Sequence, residues 1–481
     1  MTAGTGDAVV VGAGPNGLAA AVTLAQAGLS VTVFEGADEI GGGTRTAELT
    51  VPGVLHDVCS AVHPFGIASP FLASLPLADH GLEWRWPEID LAHPLDGGRA
   101  GVMMRSLDDT VAGLGPDGPA WRRTFGPLLP EFEALTAEAL APVVRVPRRP
   151  VLLARFGLRA GLPASLLARR FRTDEARALW AGNAAHVWRP FNRPATSAVG
   201  VLMTAGGHRF GWPVAAGGSH AIAVALAGLL VELGGSIQTG ARVTALDELP
   251  PAGVTLLDVA PRAVVEIAGA RLPARTRRAY ARWRHAPAAF KVDLGVEGGI
   301  PWTAEPCRRA GTVHVGGTYD EIAAAEADIQ RDRMPDRPFV LVGQQYLSDP
   351  QRSNGDVHPV WAYAHVPRGY AGDATDAVLG QIERFAPGAR ERIVGRHILD
   401  PAALEAYNPN HVGGDIINGD NTLRQLVLRP RVTLHPYATG IPGVYLCSAA
   451  TPPGAGVHGM CGHHAARYAL RGLGRPLPSD G

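Results

Sequence analysis

The sequence has little lysine and no excess of charge of either sign. Its 481 residues include one lysine, Lys291, so the remaining basic side chains are arginines. The 44 basic and 44 acidic residues balance to a formal net charge of zero. Proteins that bind nucleic acids normally carry a basic excess. We therefore expect no nucleic-acid partner.

Cysteine pairs and long apolar runs are also missing. The four cysteines are scattered without a CxxC pair, which argues against a disulfide framework and against a metal site: Cys59, Cys307, Cys447 and Cys461. The longest apolar run, residues 221–231, is shorter than the roughly 20 residues that cross a bilayer. Residues 1–7 show no signal peptide. These features predict a soluble cytoplasmic protein, or at most a peripheral membrane protein.

The strongest pattern in the chain lies in its first 35 residues. The apolar run of residues 8–11 predicts a buried strand, and residues 18–27 predict an alanine-rich helix. Residues 30–34 predict a second strand, which ends at Glu35. Between the first strand and the helix stands a GxGxxG turn, formed by Gly12, Ala13, Gly14, Pro15, Asn16 and Gly17. This order of elements predicts a Rossmann-like dinucleotide site.

Each glycine of that turn has a separate physical role. Gly12 permits the tight turn, Gly14 lets the backbone approach a pyrophosphate, and Gly17 lets the helix pack closely on the strand. The helix N-terminus then presents unpaired N–H groups to the phosphates. Glu35 can accept hydrogen bonds from both ribose hydroxyls and would repel a 2′-phosphate, so the pattern disfavours NADP.

Three further stretches resemble known flavoproteins. Residues 40–46, which include Gly41, Gly42, Gly43 and Thr44, resemble the second FAD-binding stretch of the glutathione-reductase and amine-oxidase type. Residues 443–470 resemble the closing FAD motif of phytoene desaturases, although Ser448, Ala450, Pro452 and His458 depart from it. Residues 408–416 with 428–430 resemble a signature of the pyridine nucleotide-disulfide oxidoreductase domain-containing branch. The chain therefore resembles the phytoene desaturase-like FAD-dependent oxidoreductases, without the CxxC that disulfide chemistry needs.

This resemblance implies an α/β fold with a Rossmann-like FAD-binding domain and a mixed α+β substrate or cap domain. The FAD-binding domain would comprise residues 1–95, 205–285 and 405–481, and the cap residues 96–204 and 286–404. A strand is expected from residues 234–237 through 242–246, with Val243 against the adenine. The residues implied to hold FAD are Gly12, Ala13, Gly14, Pro15, Asn16, Gly17, Glu35, Gly36, Gly41, Gly42, Gly43, Thr44, Val243, Ala449, Ala450, Gly456 and Val457.

Five side chains are candidates for chemistry or contact beside the flavin. Lys291 lies on a predicted strand, residues 288–294, that resembles the amine-oxidase strand whose lysine holds a water at the flavin; a lysine that protects a sheet edge is the alternative. His458, His411 and His63 are each either a general acid or base or a hydrogen-bonded structural residue. Asp415 would either contact flavin or substrate or cap its turn.

Three functions remain open at this point. The first is an FAD-dependent dehydrogenase, desaturase or isomerase that acts on a hydrophobic molecule, such as an isoprenoid or polyene, with oxygen or a quinone as electron acceptor. The second is a flavin oxidase of the amine-oxidase type, which a cage of Trp361, Tyr363 and Tyr407 would favour. The third is a non-catalytic binder, because prenyl-protein escort proteins share this fold.

Residues 145–173 combine eight arginines with no acidic residue. Leucines and phenylalanines alternate with these arginines, and Pro163 is expected to divide the stretch into two short helices. Such a composition predicts an element at a membrane surface, where arginines meet anionic headgroups and apolar side chains meet acyl chains. The alternative is a pair of cap helices whose arginines face solvent or pair with acids.

Overall fold

The computed structural model describes residues 8–478. The first of its two large sheets is parallel and has five strands. The central strand is buried on both faces, which explains its purely apolar sequence. The strand order across the sheet is Val444–Leu446, Val254–Leu257, Ala8–Val11, Val31–Phe34 and Ser236–Gln238. The Rossmann-like prediction is confirmed.

The helix after the first strand joins distant parts of the chain. This helix, Pro15–Gln26, packs between His220–Glu232 and Met460–Gly472. Its contact with the last helix is close, since a Cβ on Gly462 would overlap the backbone carbonyl of Asn16. The alanine-rich sequence permits this approach, and residues far apart in the chain therefore build one layer.

The second large sheet has seven strands and is mixed. The strand order is Ile393–Leu399, Ala288–Glu297, Val357–Val366, Val340–Gly343, Ala310–Val315, Ile89–Leu95 and Arg99–Met103. Ala310–Val315 and Ile89–Leu95 are parallel, and the other neighbours are antiparallel. Ile89–Leu95 pairs here although it falls within the range 1–95 expected for the FAD-binding domain. The predicted strand at residues 288–294 is confirmed.

Helices cover both faces of this second sheet. One face carries a cap whose core includes Trp121, Phe125 and Trp180. The cap helices are Leu107–Gly113, Gly118–Phe125, Phe132–Ala139, Pro150–Ala160, Ala164–Ala168, Asp174–Ala185 and Ala198–Phe210. Thr375–Phe385 covers the opposite face. The break predicted at Pro163 is confirmed, because two helices end and begin on either side of it.

Shorter elements complete the chain. Two small antiparallel pairs join Thr46–Glu48 to Leu55–Asp57 and Trp84–Arg85 to Val214–Ala215. The remaining helices are Pro64–Ile67, Pro70–Ala73, Pro261–Ala268, Ala274–Ala281, Tyr319–Ile329, Pro401–Tyr407 and Leu423–Val427. Within residues 8–478, no helix combines the length and the apolar character that a membrane crossing requires.

The strand expected from residues 234–237 through 242–246 is present only in its first part. The sheet edge is the three-residue strand Ser236–Gln238, and the chain then turns at Gly240, whose φ is +64°. Thr244 instead donates hydrogen bonds from its backbone N–H and its hydroxyl to the Glu248 carboxylate. These local side-chain bonds replace a ladder at an edge where only one neighbouring strand is present.

Candidate active site

A cavity of about 1000 Å³ connects the two sheets. One end is a groove along the carboxyl edge of the parallel sheet, between the GxGxxG turn and the closing turn near residue 456. The other end reaches the seven-stranded sheet and the cap helices. This volume is at the upper end of the range usual for small-molecule sites, and ligands of doubly wound folds bind at the same sheet edge.

Most of the residues predicted to bind a dinucleotide line this groove. They come from four separate stretches that the parallel sheet brings together: Gly12, Gly14, Pro15, Asn16, Glu35, Gly36, Gly42, Gly43, Thr44, Val243, Ala449, Gly456 and Val457. Glu35 is held in place by the backbone N–H groups of Ala13 and Ala37, at 2.7 and 3.0 Å. A carboxylate has about four lone-pair sites, so Glu35 keeps acceptor capacity for hydroxyl groups.

Four predicted residues, Ala13, Gly17, Gly41 and Ala450, lie behind the groove wall. A Cβ on Gly17 would overlap the Gly12 carbonyl oxygen, so this glycine permits close packing of the helix on the strand. The Gly41 N–H donates to the Ala13 carbonyl oxygen at 2.9 Å and ties the two glycine loops together. These residues therefore shape the groove through the backbone, whereas Ala450 is simply buried.

The groove has the shape and the free polar atoms that a dinucleotide requires. A Cβ on Gly42 would lie 3.1 Å from the Gly14 Cα, so only glycines leave a channel between the loops. The N-cap of Pro15–Gln26 is Gly14, which has no side chain, so this helix end is open to phosphates, although the Gly17 N–H already donates to Asp258. Asn16 Oδ1 is buried without a hydrogen-bond partner among the described residues. The residues present fit a dinucleotide.

Asp258 and Arg45 are groove residues that the sequence reasoning missed. Asp258 follows the strand Val254–Leu257, and its Oδ2 accepts a hydrogen bond from the Gly17 N–H at 2.8 Å. Burial, together with the charge of Glu35, raises the pKa of Asp258 to about 7. Arg45 lies 3.5 Å from the Glu35 carboxylate. An acid directly after a strand at this sheet edge was the available signal for Asp258.

The structure places His458 and His411 at the cavity. Both imidazoles line it and are buried, and burial lowers the pKa of each to about 4, so both are neutral at pH 7. His458 Nδ1 accepts a hydrogen bond from the Met460 N–H at 3.0 Å, and its Nε2 has no partner within residues 8–478. A neutral imidazole with one free nitrogen can form a hydrogen bond with a ligand.

His63 and Asp415 differ in their placement. His63 lines the cavity, and its Nε2 lies 2.8 Å from the Ser219 hydroxyl. Asp415 does not line the cavity, because its carboxylate accepts hydrogen bonds from the backbone N–H groups of Ala286 and Ile417, both at 3.0 Å. The structure therefore supports the turn-capping alternative for Asp415.

Lys291 lies behind the cavity wall. Its ammonium group forms an ion pair with Asp293 and lies 5.9 Å from the centre of the Trp361 ring. Both partners of the ion pair are buried, and neither lines the cavity. Trp361, the aromatic neighbour of Lys291, does line the cavity. The catalytic role of Lys291 stays a prediction.

The floor of the cavity lies on one face of the seven-stranded sheet, where the residues stand in two rows; Thr312, Leu341, Trp361 and Tyr363 are the ones that line the cavity. Cross-strand partners point to the same face. One row runs through Thr312, Gly343 and Trp361, and the other through His314, Leu341 and Tyr363. Trp361 and Tyr363 meet edge to face, with ring centres 5.0 Å apart. This floor is largely aromatic and aliphatic.

Comparison with known proteins agrees with this architecture. A family model described as an NAD(P)-binding Rossmann-like domain matches residues 10–73. The chain is 26% identical to pyridine nucleotide-disulfide oxidoreductase domain-containing protein 2 of Mus musculus, over 97% of this chain and 94% of that protein.

Three solved structures share the fold along nearly the whole chain. An oxidoreductase from Methanosarcina mazei has a TM-score of 0.64 at 16% identity, with 96% of this chain and 99% of that chain covered. Putrescine oxidase bound to putrescine has a TM-score of 0.61 at 18% identity, with 98% and 99% covered. A fatty acid isomerase from P. acnes has a TM-score of 0.57 at 15% identity, with 96% and 98% covered.

These likenesses define the fold. It contains a Rossmann-like nucleotide-binding domain and has amine-oxidase-type structural neighbours, and the predicted fold class is confirmed. The prediction of an oxidoreductase is confirmed at the level of enzyme class. The phytoene desaturase-like branch and the two domain ranges stay predictions.

Proposed function

We propose that this protein is an FAD-dependent oxidoreductase, a dehydrogenase, desaturase or isomerase, that acts on a hydrophobic small molecule. Oxygen or a quinone would accept the electrons in a net oxidation. The observation that carries this proposal is the continuity of one cavity from the dinucleotide groove to a largely apolar chamber. Residues that line the chamber include Leu153, Phe156, Val199, Leu202, Met203, Leu341 and Trp361.

When bound, FAD supplies the hydride or electron transfer. Glu35 would hold the ribose hydroxyls, and the turn at Gly12 and Gly14 would hold the pyrophosphate. His458 precedes the helix Met460–Gly472, whose N-terminus is positive and would favour negative charge at the closing turn. The buried walls exclude water from the reacting atoms. Each of these tasks belongs to a residue that lines the cavity.

The distribution of acidic groups supports an apolar substrate. Among residues 8–478, the acids that line the cavity are Glu35, Asp258 and Glu138. The first two belong to the dinucleotide groove. Glu138 is paired with Arg145 at 2.5 Å and accepts two further hydrogen bonds from backbone N–H groups. A cationic substrate would therefore find no unpaired carboxylate in the chamber.

A flavin oxidase that acts on amines is the second candidate. Trp361, Tyr363 and Tyr407 all line the cavity, as the aromatic cage would require. The Tyr407 hydroxyl, however, donates a hydrogen bond to the Gly42 carbonyl oxygen at 2.8 Å, which places this ring at the groove. The fold shared with putrescine oxidase gives this candidate its remaining support.

The visible spectrum of the purified protein tests the cofactor. We expect flavin absorbance, and release of about one FAD per chain on denaturation. Anaerobic reduction followed by mixing with oxygen or with quinones then identifies the acceptor. A colourless protein that takes up no added FAD would refute both oxidoreductase candidates and favour the non-catalytic binder.

We also propose that the segment 145–173, together with residues 142–144 just before it, contacts anionic membranes. Six of its apolar side chains are exposed, between 42% and 90%: Val143, Val144, Val146, Val151, Leu158 and Leu166. The same segment forms a wall of the cavity through Val143, Leu153 and Phe156. Arginines lie beside these side chains, so the surface suits headgroups and acyl chains together. An apolar substrate could then pass from lipid into the chamber without crossing water.

Sedimentation with vesicles tests the membrane contact. We expect binding to vesicles that contain anionic lipid, weaker binding at high salt, and a loss of about 3 kcal/mol when the exposed Arg169, Arg170 and Arg172 become Gln, at about 1 kcal/mol per basic residue. The matched control replaces three exposed arginines of Ala274–Ala281, namely Arg275, Arg277 and Arg278. Equal losses from both triple variants, or a wild type that stays in the supernatant at low salt, would contradict the proposal.

A further inference from the structure

Two polar side chains, one on the sheet and one at the end of a helix, lie at the inner end of the otherwise apolar cavity. Thr312 is 3% exposed and lines the cavity, and its hydroxyl has no hydrogen-bond partner among the described residues. His186 lines the cavity at the end of the helix Asp174–Ala185. A buried hydroxyl without a partner is unfavourable, so a ligand group that bonds to it gains affinity.

His314 fixes the imidazole of His186. The two Nε2 atoms lie 3.2 Å apart, and one of them carries the hydrogen that joins the rings. His314 is two residues from Thr312 on the strand Ala310–Val315, so both side chains point to the cavity face of the sheet, roughly 7 Å apart. His314 itself does not line the cavity and acts as a positioning residue.

The inner end of the cavity carries no net charge. Burial lowers the pKa of His186 to about 3 and holds the pKa of His314 well below its usual range, so both imidazoles are neutral at pH 7. Within residues 8–478, the acids and arginines that line the cavity belong to the dinucleotide groove, to its closing turn, or to the Glu138–Arg145 pair. Neither a carboxylate nor an ammonium group would find a counter-charge here.

We propose that Thr312 and His186 form a subsite for one neutral oxygen group, a hydroxyl or a carbonyl, of the otherwise apolar substrate. The inference rests on the proposed function, because it takes this chamber as the place where the substrate lies. A hydroxyl and a neutral imidazole each offer a donor or an acceptor, which matches an alcohol or a ketone. Trp361 and Leu341, which also line the cavity, would enclose the apolar remainder.

Binding of four probes with the same ten-carbon chain tests the subsite: decan-1-ol, decane, decanoate and decylammonium. Tryptophan fluorescence reports binding, because Trp188, Trp212 and Trp361 line the cavity. We expect decan-1-ol to bind about tenfold more tightly than decanoate and decylammonium. Thr312→Val keeps the shape and removes the hydroxyl, so it should weaken decan-1-ol about fivefold and leave decane unchanged.

Thr204→Val is the matched control, because the Thr204 hydroxyl is buried, bonds to the Gly200 carbonyl oxygen and does not line the cavity. It should leave the affinity for decan-1-ol unchanged. Tighter binding of either charged probe, or equal effects of Thr312→Val on decane and decan-1-ol, would overturn the subsite. Tryptophan fluorescence can be recorded with or without bound flavin, so protein that binds the probes and takes up no FAD would contradict the proposed function alone.

Discussion

The variant Gly14→Val is expected to lose FAD while it keeps its fold. Gly14 has φ −75°, which any residue adopts, so the substitution does not strain the backbone. The new Cβ would lie 3.2 Å from Oδ2 of Asp258 and 3.9 Å from the Gly42 Cα, in the channel that a pyrophosphate must use. FAD affinity should fall at least about 100-fold, equivalent to ~2.7 kcal/mol. Flavin absorbance per chain and circular dichroism measure the two effects.

Two other glycines give matched comparisons. A Cβ on Gly113 would meet open space, so Gly113→Val should keep both FAD and fold. A Cβ on Gly17 would overlap the Gly12 carbonyl oxygen, so Gly17→Val should destabilise the whole first sheet. Full retention of FAD by Gly14→Val would show that the pyrophosphate does not lie at this turn.

Replacement of Lys291 by Met is expected to lower the free energy of unfolding by about 3–5 kcal/mol, the usual effect of breaking a buried ion pair. The loss is expected because the other member of the ion pair, Asp293, remains buried without its counter-charge. Asp293 is fully buried, and its Oδ2 has no hydrogen-bond partner within residues 8–478. The nearest imidazole nitrogens, of His56 and His397, lie 3.7 and 3.5 Å from its oxygens. Denaturant unfolding of the FAD-loaded protein measures the loss.

The double variant Lys291→Met with Asp293→Leu should recover most of that stability, since it leaves no buried charge. A direct role at the flavin predicts a different result. Lys291→Met would then fold normally and slow flavin reduction or reoxidation at least tenfold, or ~1.4 kcal/mol in the transition state. Unchanged stability with slow flavin chemistry would place Lys291 at the reacting atoms after all.

The dinucleotide groove was largely predictable because most of the residues that shape it lie close together in the sequence. Gly12, Gly14 and Glu35 belong to one strand–helix–strand unit, and the backbone of that unit is determined within 28 residues, from Ala8 to Glu35. The closing turn at Gly456 was predictable from its resemblance to flavoproteins, and the structure brings it to the same groove. In each case, side-chain identity matters less than the space that glycine leaves.

The end of the cavity at the seven-stranded sheet depends on contacts between residues that are far apart in the sequence. The sequence predicted a strand that contains Lys291, but the ion pair with Asp293 becomes important because distant elements bury that strand on both faces. Nothing near His186 in sequence indicates His314, because their contact joins the end of a helix to a strand 128 residues later. The strand predicted through residues 242–246 is absent for a related reason, since local side-chain hydrogen bonds such as that of Thr244 decide the conformation of an edge segment.

The contact of Pro15–Gln26 with Met460–Gly472 sets an order of events during biosynthesis. The first helix leaves the ribosome 433 residues before the last one begins, as its end at Gln26 and the start at Met460 show. At roughly 5–20 residues per second, this interval lasts about 20 to 90 s. The face of Pro15–Gln26 that Met460–Gly472 covers is therefore expected to stay uncovered until the last helix has been made. Cofactor loading is in consequence expected only after that helix has docked.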